Sequence, residues 1–301
     1  MTHAQGDYDT WASLYDETLG PDYCREKLGF LERNLIPGLP PGARVLDLCC
    51  GTGQLIVPLL ERGYAVTGLD GSADMLRHAR RNAPAATFVQ ADARDFAFEA
   101  PFDGVLCTSA SLNHMPSLDD LGRVFACVAA CLRPGGVFVF DLNHPAQLQR
   151  HWRGQPAEGD IRPDHAWLIT PRYDPATRAG AFTVDIWRRP GDETTSTAFP
   201  RMLCALLGVW RFRRLRRRML ARFSVRRPSW QHRAETYPIH GHDLSAVTAL
   251  LDANGLAARI ETVGGDRPLD EDHAAHFVCT KRAAATTSAA TAPIAETGAS
   301  R

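Results

Sequence analysis

The chain has 301 residues, of which 45% are hydrophobic and 23% are charged, and its formal net charge is zero. This composition is ordinary for a soluble globular protein, and the length allows about two domains. The longest apolar run, residues 202–210, falls well short of the roughly 20 residues that a membrane-spanning helix needs. Because no lysine or arginine precedes Arg25, we expect no secretory signal and a cytoplasmic protein.

A buried strand that breaks into a glycine turn is the most informative motif. Residues 45–54 form an apolar strand with a carboxylate, Asp47, followed by Gly51 and Gly53. Two glycines one residue apart let the backbone approach a ligand closely, and the following helix directs its amide groups at an anion. A dinucleotide-binding loop requires a third glycine where this chain has Ile56, so NAD is disfavoured.

Three further predicted strands end next to polar residues, namely Asp70, Asp92 and Thr108. The carboxyl ends of parallel strands meet at one edge of a sheet, where open α/β sheets bind their ligands. Asp70 therefore lies beside the glycine turn, where it could accept hydrogen bonds from both hydroxyls of a ribose.

These motifs resemble those of the class I S-adenosylmethionine-dependent methyltransferases. The matching segments are residues 45–54, 68–72, 90–93 and 132–138. The resemblance implies an α/β fold with a Rossmann-like seven-stranded sheet and helices on both faces. It also implies S-adenosylmethionine as the cofactor.

The same resemblance implies a cofactor site formed by Asp47, Cys49, Gly51, Gly53, Asp70, Gly71, Met75, Asp92, Ala93 and Thr108. In that site the two loop glycines admit the methionine moiety, Asp70 holds the ribose, and Asp92 holds the adenine amine. Cys49 departs from the family pattern, because the first glycine usually stands there, but a small residue still fits.

His114 and Tyr15 are the candidates for catalysis. The segment around His114 resembles the substrate-contacting Gly-His-Met stretch of small-molecule N-methyltransferases that act on amino sugars, with Asn113 in place of the glycine. An unperturbed histidine titrates near pH 6.5, which suits a general base; packing alone is the alternative. Residues 8–16 resemble the family's lid helix, in which Tyr15 reaches cofactor and substrate, although its apolar spacing equally allows a core residue.

The sequence pattern changes after the fifth strand, and an inserted antiparallel lid is predicted. Within it, residues 201–227 contain ten arginines and no acidic residue, which predicts a cationic amphipathic helix at about residues 201–223. This segment could steer an anionic or carrier-linked substrate, bind nucleic acid or contact an anionic membrane. Docking on the rest of the protein or on a second subunit is the remaining alternative.

The predicted organisation has five parts: N-terminal lid helices (1–40), a cofactor-binding core (41–150), the inserted region (151–240), a helix and hairpin that complete the core (241–282), and a disordered tail (283–301). The tail is rich in alanine, threonine and serine, which bury too little surface to become ordered. No metal site is predicted, because the eight cysteines include no Cys-x-x-Cys pair.

Together these patterns predict methyl transfer from S-adenosylmethionine to a nitrogen or oxygen atom of a small metabolite. One alternative is an RNA methyltransferase that uses the arginine-rich insertion, and another is a non-catalytic protein that binds the cofactor. Residues 109–116 contain nothing like the Asn-Pro-Pro-Tyr type motif of enzymes that methylate amino groups of adenine or glutamine, which favours the small molecule. The sequence predicts no oligomeric state.

Overall fold

A computed structural model describes residues 12–189, 213–265 and 268–283. The helices are α1 (Ala12–Glu17), α2 (Leu19–Asn34), α3 (Ile56–Glu61), α4 (Ala73–Asn82), α5 (Leu118–Cys131), α6 (Pro145–His151), α7 (Arg213–Leu220), α8 (Phe223–Arg226) and α9 (Leu244–Ala253). The first five strands are β1 (Arg44–Leu48), β2 (Ala65–Asp70), β3 (Thr87–Gln90), β4 (Phe102–Cys107) and β5 (Leu132–Leu142). The others are β6 (Glu158–Ile161), β7 (His165–Asp174), β8 (Ala179–Arg188), β9 (Gln231–His240), β10 (Leu256–Glu261) and β11 (Ala275–Lys281).

Seven strands form the larger sheet, in the order β10-β11-β5-β4-β1-β2-β3. Strands β1 to β5 run parallel, and β11 runs antiparallel to both β5 and β10. The strand order reverses between β1 and β4, and in open α/β sheets this is where ligands bind. The predicted α/β fold with a Rossmann-like seven-stranded sheet is confirmed.

Helices cover both faces of this sheet. Alternate residues of each strand point to opposite faces, so one strand contributes side chains to two buried clusters. On one face Leu46 and Leu48 of β1 belong to a buried cluster with Phe125 of α5. On the other face Val45 belongs to a second cluster with Phe30 of α2. The glycine turn after β1 is thereby attached to a strand that is fully packed on both sides.

Strands β6, β7, β8 and β9 form a separate antiparallel sheet, which confirms the predicted insertion; we call it the inserted sheet. One of its faces packs on α1 and α2, with Trp167 and Tyr237 buried beside Leu19. The other face packs on α7 and α8, where Leu220 and Phe223 are buried.

The arginine-rich segment, for which a helix at about residues 201–223 was predicted, is described only from residue 213 onwards. Its described part has two helices, α7 and α8, separated at Ala221 and Arg222, while residues 201–212 and the predicted tail from residue 284 onwards lie outside the described residues. Leu220 and Phe223 hold the two helices on the sheet, whereas Leu215 is 49% exposed. Among the helices that the structure describes, none has the length and apolar character to cross a membrane.

Candidate active site

A small cavity lies at the reversal of strand order, at the carboxyl ends of β1 and β4 and against α1 and α2. Its volume is about 50 Å³, and we call it the loop cavity. Five residues predicted for the site line it, namely Tyr15, Asp47, Cys49, Gly51 and Thr108. The other lining residues are Gly20, Tyr23, Cys24, Cys50, Thr52, Gln54, Leu55, Ser109 and Ser111.

Three residues with left-handed backbone shape the turn after β1. The φ angles of Cys49, Gly51 and Gly53 are +58°, +54° and +74°, so a cysteine does take the first position of the turn. At Gly53 a Cβ atom would lie 3.1 Å from the Cβ of Ala79 in α4, which makes this glycine a packing requirement. At Gly51 the nearest such neighbour is Cε1 of Tyr15, at 3.9 Å, so the backbone is open to the cavity there.

Asp70 holds the glycine turn against the end of β2. One carboxylate oxygen accepts the backbone N–H of Gly51 at 2.8 Å, and the other accepts the N–H of Ser72 at 2.8 Å. Ser72 in turn caps α4 by accepting the N–H of Met75. Because each carboxylate oxygen has two lone pairs, Asp70 keeps acceptor capacity for ligand hydroxyls.

Asp47 is a buried carboxyl group in the wall of the loop cavity, where it is 3% exposed. Burial raises the pKa of Asp47 to about 8, and the negative charge of Asp70 adds to the effect. Thr52 lies in the same wall, and its buried hydroxyl has no hydrogen-bond partner in the described part of the chain. Buried polar groups normally have hydrogen-bond partners, so the carboxyl of Asp47 and the hydroxyl of Thr52 indicate that a polar ligand binds here.

Tyr15 lies across the cavity from the glycine turn. It forms a side-chain hydrogen bond with Ser109, and burial raises its pKa above the usual value. The ring of Tyr23 lies 6.2 Å from that of Tyr15, between ring centres. A neutral phenol in this position can donate or accept a hydrogen bond but is not a base at neutral pH.

His114 lies outside the residues that line the loop cavity. Its Nδ1 donates to the carbonyl of Pro238 at 2.8 Å, and its ring contacts Phe182 at 5.9 Å between centres. Burial lowers the pKa of His114 to about 4, against the opposing effect of the Pro238 hydrogen bond. The imidazole is therefore neutral at pH 7 but only weakly basic.

Asn113 connects the core to the inserted sheet. Its amide donates to the carbonyls of Asn143, at 2.9 Å, and His240, at 2.7 Å, and its oxygen accepts the N–H of Asn143 at 2.8 Å. The side chain of Asn113 is 1% exposed. Its hydrogen bonds attach the turn that contains His114 to the end of β9.

The remaining predicted cofactor residues lie on the β2 and β3 side of the sheet. Met75 and Ala93 are buried in the core, and the carbonyl of Gly71 accepts from Gln90 at 3.2 Å. The carboxylate of Asp92 forms an ion pair of 2.6 Å with Arg94, whose hydrogen bonds hold the pKa of Asp92 below its usual value. In the described residues, no group of three or more His, Cys, Asp and Glu could hold a metal ion.

A much larger groove lies between α2, the inserted sheet and α7, with a volume of about 820 Å³. We call it the acidic groove, because its lining contains five carboxylates, those of Glu17, Asp22, Glu26, Glu158 and Asp160, against three arginines, Arg162, Arg216 and Arg217. Asp160 pairs with Arg162 at 2.7 Å and with Arg216 at 3.3 Å.

Tyr23 joins the acidic groove to the loop cavity, since it lines both. Its hydroxyl donates to a carboxylate oxygen of Glu158 at 3.3 Å. Trp167 also lines the groove; its indole N–H is buried and has no hydrogen-bond partner among the described residues. The groove thus has a carboxylate, that of Glu158, next to the residue it shares with the cavity, and an unused donor in its wall.

Comparison with known proteins agrees with this geometry. A family model described as "Methyltransferase domain" matches residues 45–136. A crystal structure of an S-adenosylmethionine-dependent methyltransferase from Clostridium acetobutylicum superposes with a TM-score of 0.68, covering 92% of this chain and 99% of that one at 16% identity. Residues 45–136 match a methyltransferase domain, and the fold is that of S-adenosylmethionine-dependent methyltransferases.

Two curated relatives of this methyltransferase domain are named for different methyl acceptors. A dTDP-3-amino-3,6-dideoxy-alpha-D-glucopyranose N,N-dimethyltransferase from Streptomyces fradiae is 37% identical over 143 residues, covering 46% of this chain and 55% of the relative. A trans-aconitate 2-methyltransferase from Acidovorax is 36% identical over 162 residues, covering 49% and 60%. The chain spans about half the length of the curated relatives it matches.

Sequence reasoning missed several residues that the structure brings to the site. Tyr23 and Cys24 of α2 line the loop cavity, and Glu158 meets Tyr23 from the inserted sheet. A helical spacing of four relates Leu19, Tyr23 and Lys27 along α2, and this pattern could have assigned Tyr23 to the buried face. Nothing in the sequence around Glu158 indicates its partner, because the contact joins residues 135 positions apart.

Proposed function

We propose that this protein transfers a methyl group from S-adenosylmethionine to the amino group of a small cationic molecule. The observation that carries the proposal is the meeting of the acidic groove with the loop cavity at Tyr23. A ligand in the groove can place one end beside the glycine turn, and that end passes the Tyr23–Glu158 pair.

The residues around the loop cavity suit S-adenosylmethionine. Asp47 offers a carboxyl group to the ammonium of the methionine moiety, and Asp70 retains acceptor capacity for the ribose hydroxyls. Thr52 adds a hydroxyl without a partner in the described chain, and the turn leaves the backbone of Gly51 open. Tyr15 lies on the opposite wall, where its ring can contact the positively charged sulfonium.

The size of the loop cavity supports a covering role for the N-terminal helices. Its volume of about 50 Å³ is below the roughly 300 Å³ of the smallest ordinary ligand pockets. Tyr15 of α1 and Tyr23 of α2 are the large side chains on that wall. An outward movement of α1 and α2 would enlarge the loop cavity for the methionine end of the cofactor, and closure afterwards would exclude water.

The charge of the acidic groove favours an amine over a carboxylate as the acceptor. Carboxylates outnumber arginines in its lining, so the groove attracts ammonium groups and repels carboxylic acids. Glu158 and the hydroxyl of Tyr23 form a hydrogen-bonding pair at the cavity end, where they can hold an amine. The relative from Streptomyces fradiae is named for methyl transfer to an amino group, here that of a dTDP-linked amino sugar, so it shares the kind of acceptor atom but not the positive charge.

S-adenosylmethionine supplies an electrophilic methyl group on a sulfonium, so the protein has chiefly to align the attacking nitrogen. The nitrogen must carry a free lone pair, so an acceptor that binds as an ammonium first gives up one proton; the amine then displaces S-adenosylhomocysteine and leaves as a methylated ammonium. Glu158 lies where it can take that proton and pass it to solvent along the groove. His114 is too weakly basic for this step, and we propose that it shapes the wall between the core and the inserted sheet.

Methylation of a panel of small amines and carboxylic acids tests the proposal. The amines include free amino sugars and polyamines, and the acids include tricarboxylic acids. We expect methylated products, detected by mass spectrometry, from amines alone. Methylation of carboxylic acids, or of no compound in the presence of bound cofactor, would overturn the proposal.

A matched pair of variants locates the acceptor end of the groove. Glu158→Gln should raise the KM for the amine about tenfold, because it removes a charge that pairs with the ammonium. Asp185→Asn changes a carboxylate on the same inserted sheet that pairs with His232 instead of lining the groove. It should leave the KM unchanged, and an equal effect of both variants would mean that only overall charge matters.

The alternatives from the sequence gain no support from the described residues. Arg216 and Arg217 line the acidic groove among five carboxylates, a setting that does not favour a polyanion such as nucleic acid. The domain boundaries, the cytoplasmic location and a contact between the arginine-rich segment and a membrane stay predictions from the sequence. A carrier-linked substrate also stays a prediction.

A further inference from the structure

A buried lysine connects α2 to the end of the central sheet. The side chain of Lys27 is 7% exposed, and its ammonium lies 3.3 Å from a carboxylate oxygen of Asp141 and 3.1 Å from Nε2 of His276. Glu26 is the other charged neighbour, at 3.4 Å. Burying an ammonium is costly unless it is paired, so the position of Lys27 needs a physical reason.

Asp141 carries the contact from Lys27 to the turn after β4. The oxygen that faces Lys27 also accepts the backbone N–H of Ala110 at 3.1 Å. The second carboxylate oxygen is buried and has no hydrogen-bond partner among the described residues. Lys27 is therefore the main compensation for the negative charge of Asp141, and the two together hold the amide of Ala110.

The turn that Asp141 holds is strained. Ser109 and Ala110 have φ angles of +62° and +56°, and two consecutive non-glycine residues in the left-handed region need external contacts to persist. Ser109 lines the loop cavity and forms the hydrogen bond with Tyr15. The conformation of this turn therefore sets where Ser109, and through it Tyr15, stands in the cavity.

We propose that Lys27 is a positioning residue for methyl transfer, which acts through Asp141 to hold the left-handed Ser109–Ala110 turn and so orients Ser109 and Tyr15 at the loop cavity. The role in methyl transfer rests on the proposed function. The contact from Lys27 to the turn stands independently of it, because every group in the chain of contacts belongs to the protein itself.

Two features separate positioning from a general contribution to stability. The contact chain ends on a backbone amide in a turn, so loss of Lys27 should act on one local conformation. Glycine adopts positive φ without strain, so Ala110→Gly should keep the turn in place when the hold of Asp141 is weakened. A purely stabilising ion pair would show no such specific rescue.

The experiment compares Lys27→Met, Lys27→Met with Ala110→Gly, and Lys281→Met as the matched control. Lys281 is the only other lysine of the chain, and its ammonium donates to the carbonyls of Ala129 and Leu132 at 2.5 and 2.6 Å, away from the turn. The readouts are hydrogen exchange of the Ala110 amide in the ligand-free protein, calorimetric affinity for S-adenosylhomocysteine, and kcat with an accepted amine.

In Lys27→Met we expect the Ala110 amide to exchange about tenfold faster and the affinity for S-adenosylhomocysteine to fall about tenfold, the effect of losing one charge-assisted contact. We expect kcat to fall with them. Adding Ala110→Gly should restore affinity and kcat to within about threefold of the unaltered protein. Lys281→Met should leave all three readouts unchanged.

Unchanged exchange at Ala110 in Lys27→Met, or failure of Ala110→Gly to restore affinity, would overturn the inference. If Lys27→Met does not fold, Lys27→Met with Asp141→Asn leaves no uncompensated buried charge. That neutral pair should raise exchange at Ala110 about threefold, because an amide oxygen accepts more weakly than a carboxylate, and no rise would overturn the inference. If the unaltered protein methylates no amine, while the exchange and affinity results are those expected for the variants, the proposed function is wrong and the inference about Lys27 still stands.

Discussion

Replacing Asp47 by asparagine should change how the stability of the protein depends on pH. The side chain is 3% exposed, and burial raises its pKa from 3.8 to about 8. Between these values the folded protein holds a proton that the unfolded chain releases. The stability that this proton contributes is therefore fully present below about pH 4 and is lost as the pH rises through about 8.

The magnitude follows from the size of the change in pKa. A rise of about four, at about 1.4 kcal/mol for each pKa unit, corresponds to about 6 kcal/mol as an upper limit. Relaxation and entry of water around an ionised Asp47 reduce this figure, and we expect a change of about 2–4 kcal/mol between about pH 5 and about pH 9. The Asp47→Asn variant has no ionisable group there and should lose this dependence.

Urea unfolding of both proteins at several pH values measures the effect. Relative to the unaltered protein, Asp47→Asn should gain stability steadily as the pH rises from about 5 to about 9. Asp103→Asn is the control. Burial tends to raise the pKa of Asp103, but hydrogen bonds from Arg44 and Arg133 outweigh it and hold this pKa below its usual value. A stability difference for Asp47→Asn that stays constant within about 1 kcal/mol would refute the reasoning.

The remaining predictions concern the cofactor, the histidine and the inserted sheet. Asp70→Ala should weaken binding of S-adenosylmethionine by about 1.5–3 kcal/mol in calorimetry, and near-native affinity would remove Asp70 from the site. Since the pKa of His114 is about 4, His114→Ala should leave the shape of the pH–rate profile unchanged above about pH 6; loss of a limb near pH 6.5 would restore the base assignment. Leu220→Ala should cost about 2–4 kcal/mol in urea unfolding, whereas Leu215→Ala, at a site 49% exposed in the same helix, should cost less than about 0.5 kcal/mol. Equal costs would mean that α7 does not pack on the inserted sheet as described.

Helix α2 serves the site in three ways at once. Its buried face supplies Tyr23 and Cys24 to the loop cavity and Lys27 to the contact with Asp141. Tyr23 also reaches Glu158 of the inserted sheet. If α2 moves during cofactor entry as proposed, the cavity wall, the groove and the turn after β4 should all be disturbed together.

The sequence alone predicted the parallel sheet and the cofactor class, which are confirmed, and it predicts the edge of the sheet at which ligands bind. These features are local: an apolar strand, a turn with two glycines and a carboxylate at a strand end are encoded within about ten consecutive residues, as at Asp47 and Gly53. Asp47 could be assigned to the glycine turn for this reason, whereas Tyr15 was assigned through the resemblance of residues 8–16 to the family's lid helix. The antiparallel insertion was equally visible from its alternating strands.

Only the tertiary structure decided which side chains meet across distant segments. Glu158 reaches Tyr23, Lys27 reaches Asp141, and Asn113 joins the core to the inserted sheet through contacts between residues more than 100 positions apart. Tertiary packing also lowered the pKa of His114, because the effect of burial outweighs that of the hydrogen bond to the carbonyl of Pro238. Pairing, burial and pKa depend on what surrounds a side chain in space, and local sequence patterns do not carry that information.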